Sequence, residues 1–272
     1  MKKKTILVAA IAVMLVAALV VGGTLAYFTD KTEAKKNTFT VGNVAIDLKE
    51  PSWKENESHT LLPGARYAKD PTITVKEGSQ DAYVFLEINM NKYASLINLM
   101  GVDAYKNNIG GLEGDYPGFQ TFVKTLIENN DLRAEVLGRW FEGINHADWE
   151  VMNLAELQEA VSGTETQTNA KVLPIILGYK GGEKAGVVSA GTAIKFMEAF
   201  SMPKSVTASM FDGEDAYYVG EGENRHSASN FNTNTTNAAG NPVPFWMSFT
   251  AYAIQADQIA NLNAAYAALF TK

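Results

Sequence analysis

Three histidines, His59, His146 and His226, are the residues best suited to hold a metal or move a proton, so their spacing is the first question. They lie far apart in the chain, and none stands in an HExxH run. The arrangement that puts two imidazoles on one helix turn in zinc proteases is therefore missing. His146 and Asp148 are two residues apart and could share a cation, although two polar residues in a turn before a helix read the same way. The stretch "DGEDAYYVGEGEN", which begins at Asp212, sets Asp212, Glu214, Asp215, Glu221 and Glu223 among glycines. Calcium favours such carboxylate-rich loops, but the spacing fails the EF-hand template. Asp212, Glu214 and Asp215 stand as calcium candidates against the plain alternative of a solvated acidic loop. The sequence has no cysteine, no GxSxG and no phosphate-cradling GxxxxGK run. A protein that is not an enzyme and uses no cofactor is the expectation from these residues. Trp53, Trp140, Trp149 and Trp246 could form a ligand platform, yet each lies beside a predicted strand or helix, which favours packing.

The elements that would position these residues are mostly strands. "TFTVGNVAIDL" (38–48) alternates, with Val44, Ile46 and Leu48 on one face after a turn at Gly42-Asn43. "PTITV" (71–75) and "AYVFLEINM" (82–90) are β-branched and aromatic and predict consecutive antiparallel strands. Further strand patterns stand at 171–180, 191–200, 205–210 and 245–256. Between the last two, residues 212–242 are rich in Gly, Asn, Ser and Thr and predict a long surface loop with one short strand at 216–219. The middle differs. Residues 121–141 space Phe122, Leu126, Leu132, Val136 and Trp140 as a helix does, and 148–161 do the same with Val151, Leu154, Leu157 and Val161. A helical insertion over about 95–165 follows, and Ile259, Leu262, Tyr266 and Leu269 mark a C-terminal helix. The expected class is mainly β: a jelly-roll-like two-sheet sandwich with a helical insertion and a C-terminal helix.

The N-terminal end predicts export. Lys2, Lys3 and Lys4 precede the apolar run Ile6–Val21, which is shorter than the ~20 residues of a spanning helix. Gly22-Gly23 ends the run, and Thr24-Leu25-Ala26 supplies small residues for cleavage between Ala26 and Tyr27. Residues 1–26 thus read as a signal peptide, with a retained anchor as the alternative. The full chain carries −7, and loss of three lysines takes the mature chain to −10. Such a surface repels phosphate backbones and excludes nucleic acid as a partner.

"GTLAYFTD" (23–30) followed by "NTFTVGNVAIDL" (37–48) resembles the start of TasA/camelysin-type secreted proteins. "LLPGARYAKDPTITVKEGSQDAYVFLEI" (61–88) and "FTAYAIQAD" (249–257) are similar to later strands of that family. The resemblance implies a signal peptide cut by the SipW class of signal peptidase and a jelly roll exported to the cell surface or biofilm matrix. It also implies self-association into filaments, in which the freed N-terminal segment of one subunit adds as a strand to the next. In this chain the donor would be 27–37, with Tyr27 and Phe28 as anchors and Thr29, Asp30 and Lys31 following, ahead of a sandwich over 38–272. The membrane would be met only through the uncleaved signal peptide. Two alternatives stay open: a monomeric surface adhesion or binding module, and a camelysin-like metalloprotease, for which no ligand triad is visible.

Export with cleavage after Ala26 predicts that N-terminal sequencing of the chain recovered outside the cell reads Tyr-Phe-Thr-Asp. A chain that still begins at Met1 and stays with the membrane would select the anchor instead.

Overall fold

"AYVFLEINM" is apolar at almost every position, the pattern of a strand covered on both faces. The computed structural model describes residues 29–33, 36–37, 44–53, 62–160, 174–182, 184–205, 217–219, 226–228 and 245–271. In it that segment is the central strand. The chain begins with β1 (Thr29–Glu33), β2 (Lys36–Asn37), β3 (Ile46–Lys49), β4 (Arg66–Ala68), β5 (Thr72–Val75) and β6 (Ala82–Met90). Three helices follow, α1 (Tyr93–Lys106), α2 (Phe119–Glu128) and α3 (Asn130–Trp140), with a 3-10 turn at Ile109–Gly111. Next come β7 (Phe141–Glu142), β8 (Trp149–Val151) and α4 (Leu154–Ala160). The chain then returns to strands with β9 (Ile175–Tyr179), β10 (Val187–Val188), β11 (Ala193–Lys195) and β12 (Ala199–Ser201). A short hairpin, β13 (Tyr217–Val219) and β14 (His226–Ala228), precedes β15 (Met247–Gln255) and α5 (Leu262–Phe270).

All described pairings are antiparallel. The main sheet runs β2-β1-β15-β6-β9-β8, with β10 also on β6, and a second sheet runs β11-β5-β3. Along β6 the two faces alternate as a pleat requires. Ala82, Val84, Leu86 and Ile88 join Phe249, Ala251 and Ala253 of β15 in a core shared with Ile46, Ile73 and Val75 of the second sheet. On the opposite face Tyr83, Phe85 and Ile254 pack under Leu262 and Ala265 of α5. The Phe85 and Phe270 rings meet edge-on at 5.7 Å, and Tyr252 and Phe270 at 4.9 Å. Asn261 starts α5 by accepting a hydrogen bond from the Ala264 N–H at 2.9 Å. The protein is mainly β, with two sheets face to face, a helical insertion and a C-terminal helix.

A corner joins this sandwich to a third sheet, β4-β12-β7. Residues 191–200, expected as one strand, are two: β11 pairs with β5, and β12 with β4 and β7. Buried Phe196 and Met197 make the bend, and the chain is held there by the Phe196 N–H to Pro71 O bond at 2.9 Å. The facing segment bends in step. Lys69 pairs with Glu50 at 2.7 Å and lies over the Trp53 ring at 4.3 Å, and both Asp70 carboxylate oxygens accept bonds from Ser52.

The helical block opens with α1, whose Gly101 admits the Tyr116 ring; a Cβ there would lie 2.4 Å from Tyr116 Cε2. It departs from expectation in two places. The stretch 121–141 is two helices broken at Asn129, whose extended backbone and side-chain bond to the Leu132 N–H at 3.0 Å restart the turn. Within 148–161, Trp149–Val151 is strand β8, paired with β9, and the helix begins only at Leu154. Asn153 enforces that change: buried between the two, it donates to Pro174 O at 2.7 Å and accepts from the Ile176 N–H at 2.9 Å. Asp103, 1% exposed, clamps α1 to α3 by accepting from Arg139 Nε at 2.5 Å and Nη2 at 3.1 Å.

Trp140 is fully buried against Phe200 at a ring separation of 6.4 Å. Trp140→Ala should therefore lower the unfolding free energy by ~3–5 kcal/mol, as truncation of large core aromatics does. Urea denaturation of the two proteins checks this, and a loss below ~1 kcal/mol would contradict the packing described.

Candidate functional site

Two places bring together groups that could act on something outside the fold. The first is the β1 side of the main sheet. Thr29, Asp30 and Lys31 pair with Ile254, Ala253 and Tyr252 of β15, and Thr32 and Glu33 pair with Asn37 and Lys36 of β2. Three of the five expected donor residues thus form a strand on the chain's own sheet. Tyr27, Phe28 and Ala26, the expected cleavage position, lie outside the described residues. The ladder between β1 and β15 is made by backbone groups, as in any antiparallel pair.

The second is a hollow of about 460 Å³ between the helical insertion and the main sheet. Ile88 and Met90 of β6 and Ile175 and Leu177 of β9 form its floor. Its roof is a stripe of α3, with Arg133, Ala134 and Leu137 followed by Phe141. A recess of about 180 Å³ adjoins it towards α1 and α2, and Met90, Leu137, Phe141 and Val151 line both. Sequence reading placed α3's inward face at Leu132, Val136 and Trp140. The second stripe, Arg133–Ala134–Leu137, follows the same helical spacing, but its arginine and alanine conceal it from a count of apolar residues.

One charge at the hollow, that of Arg133, is held by local bonds. Arg133 donates from Nη1 to the carbonyls of Leu126 at 2.9 Å and Ile127 at 3.2 Å, which closes the end of α2. Its Nη2 donates to Asn130 Oδ1 at 2.6 Å. His146 packs against α3, where a Cβ on Gly138 would lie 3.6 Å from its Nε2, and that nitrogen is buried without a hydrogen-bond partner among the described residues. Burial, and next the Arg133 charge, hold the His146 pKa below the usual 6.5 and keep the ring neutral. Asp148 accepts from Asn145 Nδ2 at 2.7 Å in the turn before β8, rather than before a helix.

The remaining expected sites are dispersed or lie elsewhere. Trp140 and Trp149 are core residues, Trp53 lies under Lys69, and Trp246 is exposed, so the four form no platform. The calcium candidates Asp212, Glu214 and Asp215 lie outside the described residues, as does His59. No helix among the described residues is long and apolar enough to cross a membrane.

The family model described as camelysin metallo-endopeptidase matches residues 1–169. The chain belongs to the camelysin family. No curated protein and no solved structure matches it. The family's description implies a catalytic metal, and a zinc protease needs three protein donors around the ion. Among the described residues no three His, Asp or Glu side chains converge in that way. His146, the one histidine whose side chain is described, lies beside a guanidinium that would oppose a cation. The donors described in this camelysin-family chain do not fit a catalytic zinc.

A histidine kept neutral by the fold gains its proton first in the unfolded chain, so its contribution weakens as pH falls below 6.5. Melting temperature should therefore drop between pH 6.5 and 5 more steeply in the natural protein than in His146→Gln. Parallel melting curves for the two would remove His146 as a source of pH sensitivity.

Proposed function

We propose that this protein is a secreted, non-catalytic structural subunit of a cell-surface or biofilm-matrix fibre, assembled by passing an N-terminal strand from each copy to the next. The observation that carries the reading is β1. It begins two residues after Tyr27, the proposed first residue of the mature chain, and is held on the sheet by the backbone of β15. A neighbour's β1 can make the same bonds, so exchange between copies replaces like with like and needs no new interface chemistry. A head-to-tail contact whose rotation does not close propagates into a filament.

In this reading residues 1–26 are the signal peptide, 27–37 the donor and 38–272 the acceptor sandwich with its insertion at about 95–165. A signal peptidase of the SipW class frees Tyr27, and before that step the membrane holds the end that must move. Membership of the camelysin family supports an extracellular role. The net charge of −7 supports the absence of a nucleic-acid partner. The reading is non-catalytic, against the family's descriptive name, because the sequence has no HExxH run and His146 lies beside Arg133.

Negative-stain electron microscopy tests the proposal on a chain beginning at Tyr27, beside one with extra residues before it. Filaments are expected from the first and isolated particles from the second. Isolated particles from both would overturn strand donation and leave the 27–37 segment a remnant of export.

A further inference from the structure

We propose that the hollow beneath α3 is a binding site for a long-chain carboxylate, with the alkyl chain between helix and sheet and the acid group at the rim. This goes beyond the fibre reading and does not depend on it. Interiors are normally packed to crystal density, with few voids larger than a water. About 460 Å³ lies within the ~300–1,000 Å³ of small-molecule sites, whereas one water takes ~30 Å³. Walls left without neighbours forfeit their dispersion contacts, so an occupant gains contacts that the empty fold lacks.

The lining defines the ligand. Ile88, Leu137, Val151, Ile175 and Leu177 offer no hydrogen bonds, which suits an alkyl chain and not a sugar or a peptide. Met90 and Met247 add side chains that adapt to an irregular tail. The adjoining recess is lined by Leu96, Met100, Val123 and Leu126, so the apolar space lengthens towards α1 and α2. An extended chain uses that length better than a compact ring.

The polar lining defines the head. Arg133 contributes a guanidinium whose described bonds go to neutral oxygens, which leaves its charge without a carboxylate partner among the described residues. Exposed Lys180 contributes an ammonium with no side-chain partner among them. Glu150 is the opposing charge and His146 is neutral, so the lining carries a net positive charge. A single carboxylate complements it, and an alkylammonium does not.

The test uses the chain from Tyr27 to Lys272 and dodecanoate as probe. Isothermal titration should show saturable binding to one site, weaker by roughly tenfold for dodecyltrimethylammonium. Ala134→Trp, which fills the roof, should lower dodecanoate affinity by roughly tenfold or more, and Lys180→Glu by roughly fivefold. Because a tryptophan at 134 could disrupt α3, a diazirine-bearing dodecanoate is also cross-linked to the unaltered protein and located by peptide mapping. Label on α3, β8 and β9 supports the site whatever becomes of the variant. Absence of binding, label confined to other elements, or a folded Ala134→Trp with unchanged affinity would each overturn it.

Discussion

The pairing of β6 with β15 is the constraint on which the other parts of the molecule depend. It runs without a break from Ala82 opposite Gln255 to Met90 opposite Met247. Because the pleat sends alternate residues to opposite sides, one ladder organises two separate cores. On one side Val84, Leu86 and Phe249 receive the second sheet; on the other Tyr83, Phe85 and Ile254 receive α5. A slip of one residue would exchange those sets and turn Glu87, which accepts a bond from Tyr252 Oη at 2.8 Å, into the sandwich interior. Register is therefore held from both faces at once.

The helical insertion is a consequence of the same ladder. α1 starts at Tyr93, just beyond the end of β6, so the insertion leaves the sheet from the end of that strand. Asp103 and Arg139 bind the first and third helices together, while α3 turns a small side chain, Ala134, towards the strands. Helices tied firmly to one another but facing the sheet with a short residue cannot close the gap beneath them. The hollow has that geometric origin.

What could be read from the residues depended on how local the governing interaction was. β6, β15 and α5 were legible because their own side chains carry the pattern. The strand break at Phe196 was not, because it exists to move the chain between two sheets, and no periodicity records a change of partner. Trp149 and Val151 were read as helical for a related reason: their spacing fits either element, and the choice is made by β9 and by Asn153 from outside the segment. The Arg133–Ala134–Leu137 stripe was not legible because an arginine and an alanine add little to an apolar periodicity. The Asp148 turn was visible, but the element that follows it was not.

β1 belongs to the first strands of the chain and β15 to the last, and they are neighbours in one sheet. The bond from Tyr252 to Glu87 alone spans 165 positions. Contacts so distant in sequence must await a large loop closure, which makes folding slow. A chain emerging N-terminus first, from a ribosome or through a membrane pore, therefore cannot complete its central sheet until the final strand is out. Until then β6 lacks the partner that covers one of its edges, and the sheet is completed only after the last strand arrives.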